Sequence, residues 1–452
     1  MNPSTTTLVR QTLQAAGPLS AAELVARTGT SQPTISRAVV ELGSSILRIR
    51  EGRGIRYALR RSLAQWGDRW PLYEITPDGE SVLRGTLTAV SGGFHLELDA
   101  PDAVLLHGEH GNGLFPDLPW FIYDMRPRGF MGRAFARSHE GVLHLLANPE
   151  KWSSDEILIA LLAFGADLPG SYMIGRSNMD TFLQTQNAPV SALAEAARAD
   201  AYPTLAEKAS AGEPPGSSAG GEQPKFTATV QGETGIRQVL VKFSGERTSP
   251  VGRRWADLLV AELLAAETLA AAGIPAATGT LVEASDRTFL EVPRFDRVGE
   301  WGRRPVATLE ALDAGLVGSG AALWGEAIPT LLEHGFISQE DARWLETAHQ
   351  FGLLIGNDDM HPGNLAFHLT AALPLRPAPI YDMLPMQYRP GTQGDLPGHP
   401  VRVPLARPEE RDARNRALPL AREYWSRVAQ DPRPSEDFRR IAATNADVLS
   451  AS

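Results

Sequence analysis

The sequence predicts an α+β protein built in parts: a small basic head of helices and a hairpin, a β-rich unit, and a two-lobed body with a sheet lobe followed by a helical lobe. Three observations predict it. Charge is divided unevenly along the chain. A Gly-rich stretch leads into two strand-like runs that hold two of only four lysines. A compact set of Asp, Asn and His residues follows far downstream among helical periodicities.

The 452 residues suffice for two or three domains, and 43% hydrophobic with 21% charged residues describes a chain that buries a core. Cysteine is absent, which excludes disulfides, thiol catalysis and cysteine-ligated zinc and fits a reducing compartment, so a cytoplasmic location is expected. The most apolar segment, Trp255 to Ile274, is interrupted by Asp257, Glu262 and Glu267, and the first residues lack the pattern of a secretory signal. Neither membrane nor export is expected.

Residues 1–61 hold nine arginines against Glu23, Glu41 and Glu51, a net +6, while the whole chain is −10 and the remainder therefore −16. A basic head invites an anionic partner. Ser20 and Glu23 have the spacing of a capping box, so a helix starts there and runs to Thr28-Gly29. A second helix begins at Ser31, with Pro33 tolerable in its first turn and Ile35, Val39 and Leu42 on one face, leaving Gln32, Thr34, Ser36 and Arg37 outward. Ile46 to Arg50 and Ile55 to Leu59 read as strands joined by Gly52-Arg53-Gly54, with Arg50, Arg53 and Arg56 near the tip. This order resembles a winged helix-turn-helix. In that arrangement the outward helix enters the DNA major groove and the wing arginines meet phosphates, and dimerisation on a palindrome makes a homodimer the expectation. A protein-interaction module is the bland alternative.

Residues 62–170 read as a β-rich unit, with alternation over Glu80 to Leu87 and Phe94 to Leu98 and turns at Pro77-Asp78-Gly79 and Ser91-Gly92-Gly93. His107 and His110 flank Glu109 in one loop without a partner motif, which reads as a polar turn. Trp120, Phe121, Tyr123, Arg126 and Arg128 could stack on bases, but aromatics at this density more often pack a domain edge, and that reading is preferred.

The sheet lobe is expected over residues 171–295 and the helical lobe over 296–452. Ala209 to Gly221 has the composition of a connector, yet strands follow it at Phe226 to Val230 and Arg237 to Phe243. Gly220 and Gly221 would let backbone N–H groups approach a polyphosphate. Lys225 and Lys242 stand out because arginine holds nearly every other basic position, which suggests sites for a compact ammonium; Lys151 and Lys208 carry no such signal. The absence of Gly-Lys-Ser/Thr entering a helix argues against a P-loop NTPase and for a kinase-like design with a strand lysine. A helix from about Arg254 to Ala272 places Glu262 where it could orient Lys242, and Pro293-Arg294-Phe295-Asp296-Arg297 forms the connector between lobes, the backbone near Pro293 to Phe295 set against adenine.

The segment Gly356-Asn357-Asp358-Asp359-Met360-His361-Pro362-Gly363-Asn364, followed by Tyr381-Asp382, supplies what phosphoryl transfer requires: Asp359 to orient the attacking hydroxyl, and Asn364 and Asp382 for Mg²⁺ on the ATP phosphates. His361 could steady the loop or touch phosphate. A metal phosphohydrolase using Asp358, Asp359, His361 and Asp382 is a further reading, and a DNA-binding transcriptional regulator whose kinase fold only senses nucleotide is another.

These residues resemble the HipA family of bacterial serine/threonine kinases. Family loops of the form Gly-Asn-x-Asp-x-His-x-x-Asn match Gly356 to Asn364, and the metal aspartate after a tyrosine matches Tyr381-Asp382. The family's Ser-x-x-Gly-x-Gln-x-Lys loop matches Ser218, Gly221, Gln223 and Lys225; its strand lysine, helix glutamate and Arg-Phe-Asp-Arg hinge match Lys242, Glu262 and Arg294 to Arg297. The resemblance implies a two-lobed protein-kinase-like (HipA) fold and a toxin-type kinase of a toxin–antitoxin system. It further implies autophosphorylation at Ser218, with Ser217 its neighbour, and a protein substrate in translation such as an aminoacyl-tRNA synthetase. The fused N-terminal head departs from the usual pattern and is similar to the HipH-like branch.

Overall fold

The computed structural model describes residues 4–212 and 222–451. The head contains α1 (Thr5–Ala16), β1 (Leu19–Ser20), α2 (Ala21–Thr28), α3 (Gln32–Leu42), β2 (Ile46–Glu51) and β3 (Gly54–Leu59), the strands ordered β1-β3-β2. The Ser20 hydroxyl accepts from the Glu23 amide at 3.3 Å while the Glu23 carboxylate accepts from the Ser20 amide at 2.7 Å, so the capping box forms as its spacing predicts. Val9, Leu13, Leu24, Ile35 and Val39 make a small core of their own.

The second unit is a sheet ordered β7-β6-β5-β4-β8, from β4 (Arg69–Ile75), β5 (Ser81–Val90), β6 (Gly93–Leu98), β7 (Leu114–Phe115) and β8 (Tyr172–Ile174). Around it lie α4 (Gly129–Leu143), α5 (Ser154–Phe164) and α6 (Arg176–Gln186). The unit is therefore mixed and runs past residue 170, because β8 pairs with β4 at Leu72 to Glu74, a long-range pairing that local patterning does not reveal. His110 is structural: both ring nitrogens meet carbonyls, of Leu114 and Gly315, at 3.1 Å.

Head and sheet are joined through β3. Arg60 bridges Val90, the Arg61 guanidinium meets the Val90 carbonyl at 2.8 Å and Asp155 at 2.5 Å, and Gly92, at φ 82, comes so close to Gly17 that a Cβ there would lie 3.0 Å from its Cα.

The sheet lobe is ordered β12-β13-β11-β10-β9, from β9 (Leu193–Ala194), β10 (Lys225–Gly232), β11 (Gly235–Phe243), β12 (Thr280–Ala284) and β13 (Arg287–Pro293). Helices α7 (Arg198–Ala211) and α8 (Pro250–Ala271) pack on it. The last lobe begins with the hairpin β14 (Arg297–Val298) and β15 (Gly302–Arg303), then β16 (Val306–Thr308), α9 (Leu309–Leu312), α10 (Trp324–Glu333), α11 (Gln339–Ile355), β17 (Ala366–His368), β18 (Arg376–Pro377), α12 (Arg411–Gln430) and α13 (Glu436–Ser450). Strand β17 pairs with both β16 and β18. Among the described residues no helix is long and apolar enough to cross a membrane.

A buried ionic cluster fastens the second unit to the start of the last lobe. Arg297, 2% exposed, donates to Asp296 and Asp167, each at 2.7 Å, and to the carbonyls of Leu168 (2.7 Å) and Gly170 (3.0 Å). Arg294 adds a two-pronged contact with Asp296 at 2.9 and 3.0 Å, and Arg303 donates to the Ala166 carbonyl at 2.7 Å. Arg297→Met would leave two carboxylates and two carbonyls facing an apolar side chain, so it should lower unfolding free energy by about 3–5 kcal/mol, measured by denaturant titration of tryptophan fluorescence.

Candidate active site

Lys242 on β11 and Glu262 on α8 meet because α8 packs on the sheet with one face buried throughout its middle, and the ammonium lies 2.5 Å from Glu262 Oε1. Its second partner is Asp382, which follows β18 and comes from the other lobe. Burial would depress the Lys242 ammonium, but Asp382 and Glu262 outweigh it and hold the group above the ordinary lysine range. Burial would raise Asp382; the two lysines reverse that and lower it, whereas Glu262 is raised by burial in spite of Lys242. Asp382 takes φ 53, a left-handed conformation uncommon outside glycine and found at strained functional positions. Glu262 Oε2 is buried without a hydrogen-bond partner among the described residues.

Lys225 lies directly opposite Lys242 in the β10–β11 ladder. Two ammoniums in register repel. Burial lowers the Lys225 ammonium to about 8, with Asp382 opposing and Lys242 reinforcing the shift.

The loop after α11 starts where Gly356 caps the helix at φ 78, a conformation glycine adopts without strain. Buried Asn357 then ties the loop to the Asp382 segment: its amide donates to the Asp382 carbonyl at 3.2 Å and its oxygen accepts from the Asp359 amide at 3.1 Å. Asn364 donates its amide nitrogen to the Asp359 carbonyl at 2.7 Å, which leaves its oxygen for other work. His361 accepts from the Gly363 amide at 3.0 Å and Tyr381 donates to the Gly363 carbonyl at 2.7 Å, so both brace the loop. Asp359 is exposed and is not among the residues lining the cleft, and its carboxyl is raised by partial desolvation with His361 opposing.

One cleft of about 590 Å³ is lined by Lys225, Lys242, Glu262, Pro293, Phe295, His361, Asn364, Tyr381 and Asp382. Apolar side chains line it too: Leu240, Ala277, Val292, Val306 and Ala366. Phe295 packs on Tyr381, ring centroids 5.6 Å apart. Gln223 is half-buried ahead of β10 and is not among the lining residues; Ser218, Gly220 and Gly221, like Ser217, lie outside the described residues. Asn364 and Asp382 offer the hard oxygen donors that suit Mg²⁺. Among the described residues no three His, Cys, Asp or Glu groups gather to hold a metal.

Sequence reasoning missed one wall. Trp120 and Phe121 are core, as a packing segment would be, but Asp124, Arg128 and Gly129 of the second unit line the cleft. Asp124 accepts from the Thr308 amide (2.6 Å) and hydroxyl (2.8 Å), and Glu310 accepts from the Tyr123 hydroxyl and from Arg128, each at 2.9 Å. The run of aromatics and arginines was the available signal.

The residues singled out in the head form a separate surface. Gln32, Ser36, Arg37, Arg50 and Arg53 are exposed and Thr34 is partly so. Arg56 departs from expectation: instead of facing outward it pairs with Glu51 at 2.7 Å and with Glu23 at 3.4 Å, because the capping carboxylate lies beside the sheet.

Residues 66–183 match the family described as YjjJ-like toxin, middle domain, and residues 217–449 match the HipA-like C-terminal domain. The chain is 37% identical over 429 residues to Toxin YjjJ of Escherichia coli (strain K12), covering 94% of each protein. A solved structure similar to it comes from the complex of Shewanella oneidensis MR-1 HipA, HipB and operator DNA, with a TM-score of 0.54 and 15% identity over 84% of this chain and 96% of that one. That likeness establishes a shared fold.

The four lysines make one prediction direct. In NMR of the reductively ¹³C-methylated protein, one lysine should titrate with a midpoint near pH 8 and disappear from that range in Lys225→Arg, while Lys242 stays charged beyond the ordinary lysine range.

Proposed function

The chain belongs to the family of YjjJ-like toxins with a HipA-like C-terminal domain, and from that premise we propose that it is an ATP- and Mg²⁺-dependent serine/threonine protein kinase. The observation that carries the reading is the convergence of Lys242, Glu262 and Asp382 with Asn364 and the Asp359 loop on one cleft. The apolar lining takes adenine against Leu240, Ala277 and Ala366, with the backbone at Pro293 to Phe295 alongside. Lys225 and Lys242 hold phosphates, Asn364 and Asp382 hold the metal, and Asp359 accepts the proton of the incoming hydroxyl. Mg²⁺, when bound, neutralises charge on the phosphate oxygens.

The lining supports the metal requirement. Six carboxylates (Asp124, Glu222, Glu262, Asp296, Glu310, Asp382) face four basic groups (Arg128, Lys225, Lys242, Arg294), so a bare polyphosphate would meet a net negative wall. The raised carboxyl of Asp359 suits a general base. In the reading, Ser218 or its neighbour Ser217 is autophosphorylated and the protein substrate is a component of translation, such as an aminoacyl-tRNA synthetase. The head acts as a winged helix-turn-helix: α3 presents Gln32, Ser36 and Arg37, and the β2–β3 tip presents Arg50 and Arg53, for autoregulation through DNA. A homodimer would match a palindromic operator. The exposure of this basic face also favours the second reading, a DNA-binding regulator whose cleft only senses nucleotide.

With labelled ATP, the wild type should transfer phosphate to protein. Asp359→Asn should slow transfer by about 10²–10⁴-fold while ATP affinity changes little. Full transfer by Asp359→Asn would overturn the base assignment, and phosphate release without protein labelling would indicate the phosphohydrolase. Binding to duplex DNA should weaken steeply with salt, and Arg50→Ala or Arg53→Ala should each reduce the slope of log affinity against log salt by about 1.

A further inference from the structure

Arg128 belongs to the second unit, far in sequence from the catalytic loop, yet it lines the same cleft as His361 and Asn364. It is held from three sides: Nη1 donates to Glu310 at 2.9 Å, Nη2 to Asp124 at 3.4 Å, and its carbon lies 4.9 Å from the Tyr123 ring centroid. Glu310 is itself fixed by the Tyr123 hydroxyl at 2.9 Å and reaches the catalytic loop, where a Cβ on Gly363 would lie 3.4 Å from Glu310 Oε2. A single carboxylate thus separates this guanidinium from the loop that carries Asp359, His361 and Asn364.

We infer that Arg128 is a catalytic residue supplied by the second unit, contacting the phosphoryl group as it transfers from ATP to the acceptor hydroxyl. The inference rests on the kinase reading. In that reaction the acceptor oxygen bonds to the γ-phosphorus, the bond to the β-bridging oxygen of the departing ADP breaks, and the hydroxyl proton passes to Asp359. Charge on the transferring group is spread over three equatorial oxygens, which need a permanent cation with directed donors. The other cations suit the task less well. Lys242 gives two of its three donors to carboxylates, Arg294 directs two nitrogens at Asp296, and the Lys225 ammonium is lowered to about 8. Arg128 stays charged at any working pH, and its bonds to Glu310 and Asp124 engage only its terminal nitrogens, so other donors of its five-donor fork are not taken by these carboxylates in the cleft it lines. Tyr123 and Glu310 are then positioning residues.

The test uses the full chain with Arg128→Lys, Arg128→Ala, Tyr123→Phe and Glu310→Gln, measuring single-turnover phosphoryl transfer, ATP-Mg²⁺ affinity by calorimetry, and thermal unfolding. Arg128→Lys, which keeps the charge, should unfold near the wild-type temperature and lose about 10³-fold or more in transfer rate, with ATP affinity within about threefold, the signature of an interaction made in the transition state. Free guanidinium ion at sub-denaturing concentration should restore part of the rate to Arg128→Ala and none to Asp359→Asn. Should the alanine variant fail to fold, Tyr123→Phe and Glu310→Gln, which loosen the guanidinium without removing it, should still lower the rate by a smaller factor at unchanged ATP affinity. Undiminished transfer in Arg128→Lys, or a fall in ATP affinity as large as the fall in rate, would overturn this assignment and leave the kinase reading standing. A wild type that binds ATP and transfers nothing would overturn both.

Discussion

An ammonium buried between two carboxylates is the constraint on which the cleft depends. Lys242 comes from a strand, Glu262 from the helix packed behind it, and Asp382 from the opposite lobe, so one cation fixes three elements in relative position. Taking these charges out of water costs several kcal/mol per ion, recovered only while all three partners remain together. Asp382 accepts a left-handed backbone to reach its place. The arrangement is incomplete as a purely structural device: among the described residues Glu262 keeps a buried oxygen without a hydrogen-bond partner, and Lys225 faces Lys242 across the ladder with its own charge weakened. A core selected for stability alone would satisfy that oxygen and keep two ammoniums out of register.

The cleft is walled by three bodies. The second unit is fastened to the last lobe by the Arg297 cluster, clipped again where Asp124 receives both donors of Thr308, and joined a third time through Glu310. Each contact is polar and buried or half-buried, and each loses far more when one partner is removed than the intact pair contributes. Such contacts specify one relative placement. The second unit is therefore part of the site's geometry, and its match to its own family domain spans the residues that form this wall.

Local patterns in the sequence were readable where the signal and the contact lie close together. The Ser20–Glu23 capping box, the hairpin at Gly52 to Gly54, and the loop from Gly356 to Asn364 all depend on neighbours a few residues away. The Lys242–Glu262 pair was within reach because a strand followed by a helix has few ways to pack. Arg56 was misplaced because its partner, Glu23, is supplied by a helix cap 33 residues earlier. Strand β8 lay past the expected boundary because it adds to a sheet begun a hundred residues before it. Arg128 sat in a segment whose aromatics do form core, and nothing local distinguishes a buried tryptophan's neighbour from a residue aimed at another domain's carboxylate 182 residues onward.

Charge placement links the ends of the molecule. The +6 head rests on a −16 body, yet few of its arginines are spent on that contact: Arg61 pairs with Asp155, while Arg37, Arg50 and Arg53 remain exposed. A small share of the body's acidity falls on the cleft wall, which has more carboxylates than cations. On the proposed reading, phosphates alone would be repelled there, and Asn364 and Asp382 would share a divalent ion with the phosphate oxygens. Each lowers the cost of the other, so nucleotide and metal should enter as one complex. The basic head and the acidic cleft then attract polyanions under different conditions: the head at low salt, and the cleft only when divalent cation accompanies the phosphate.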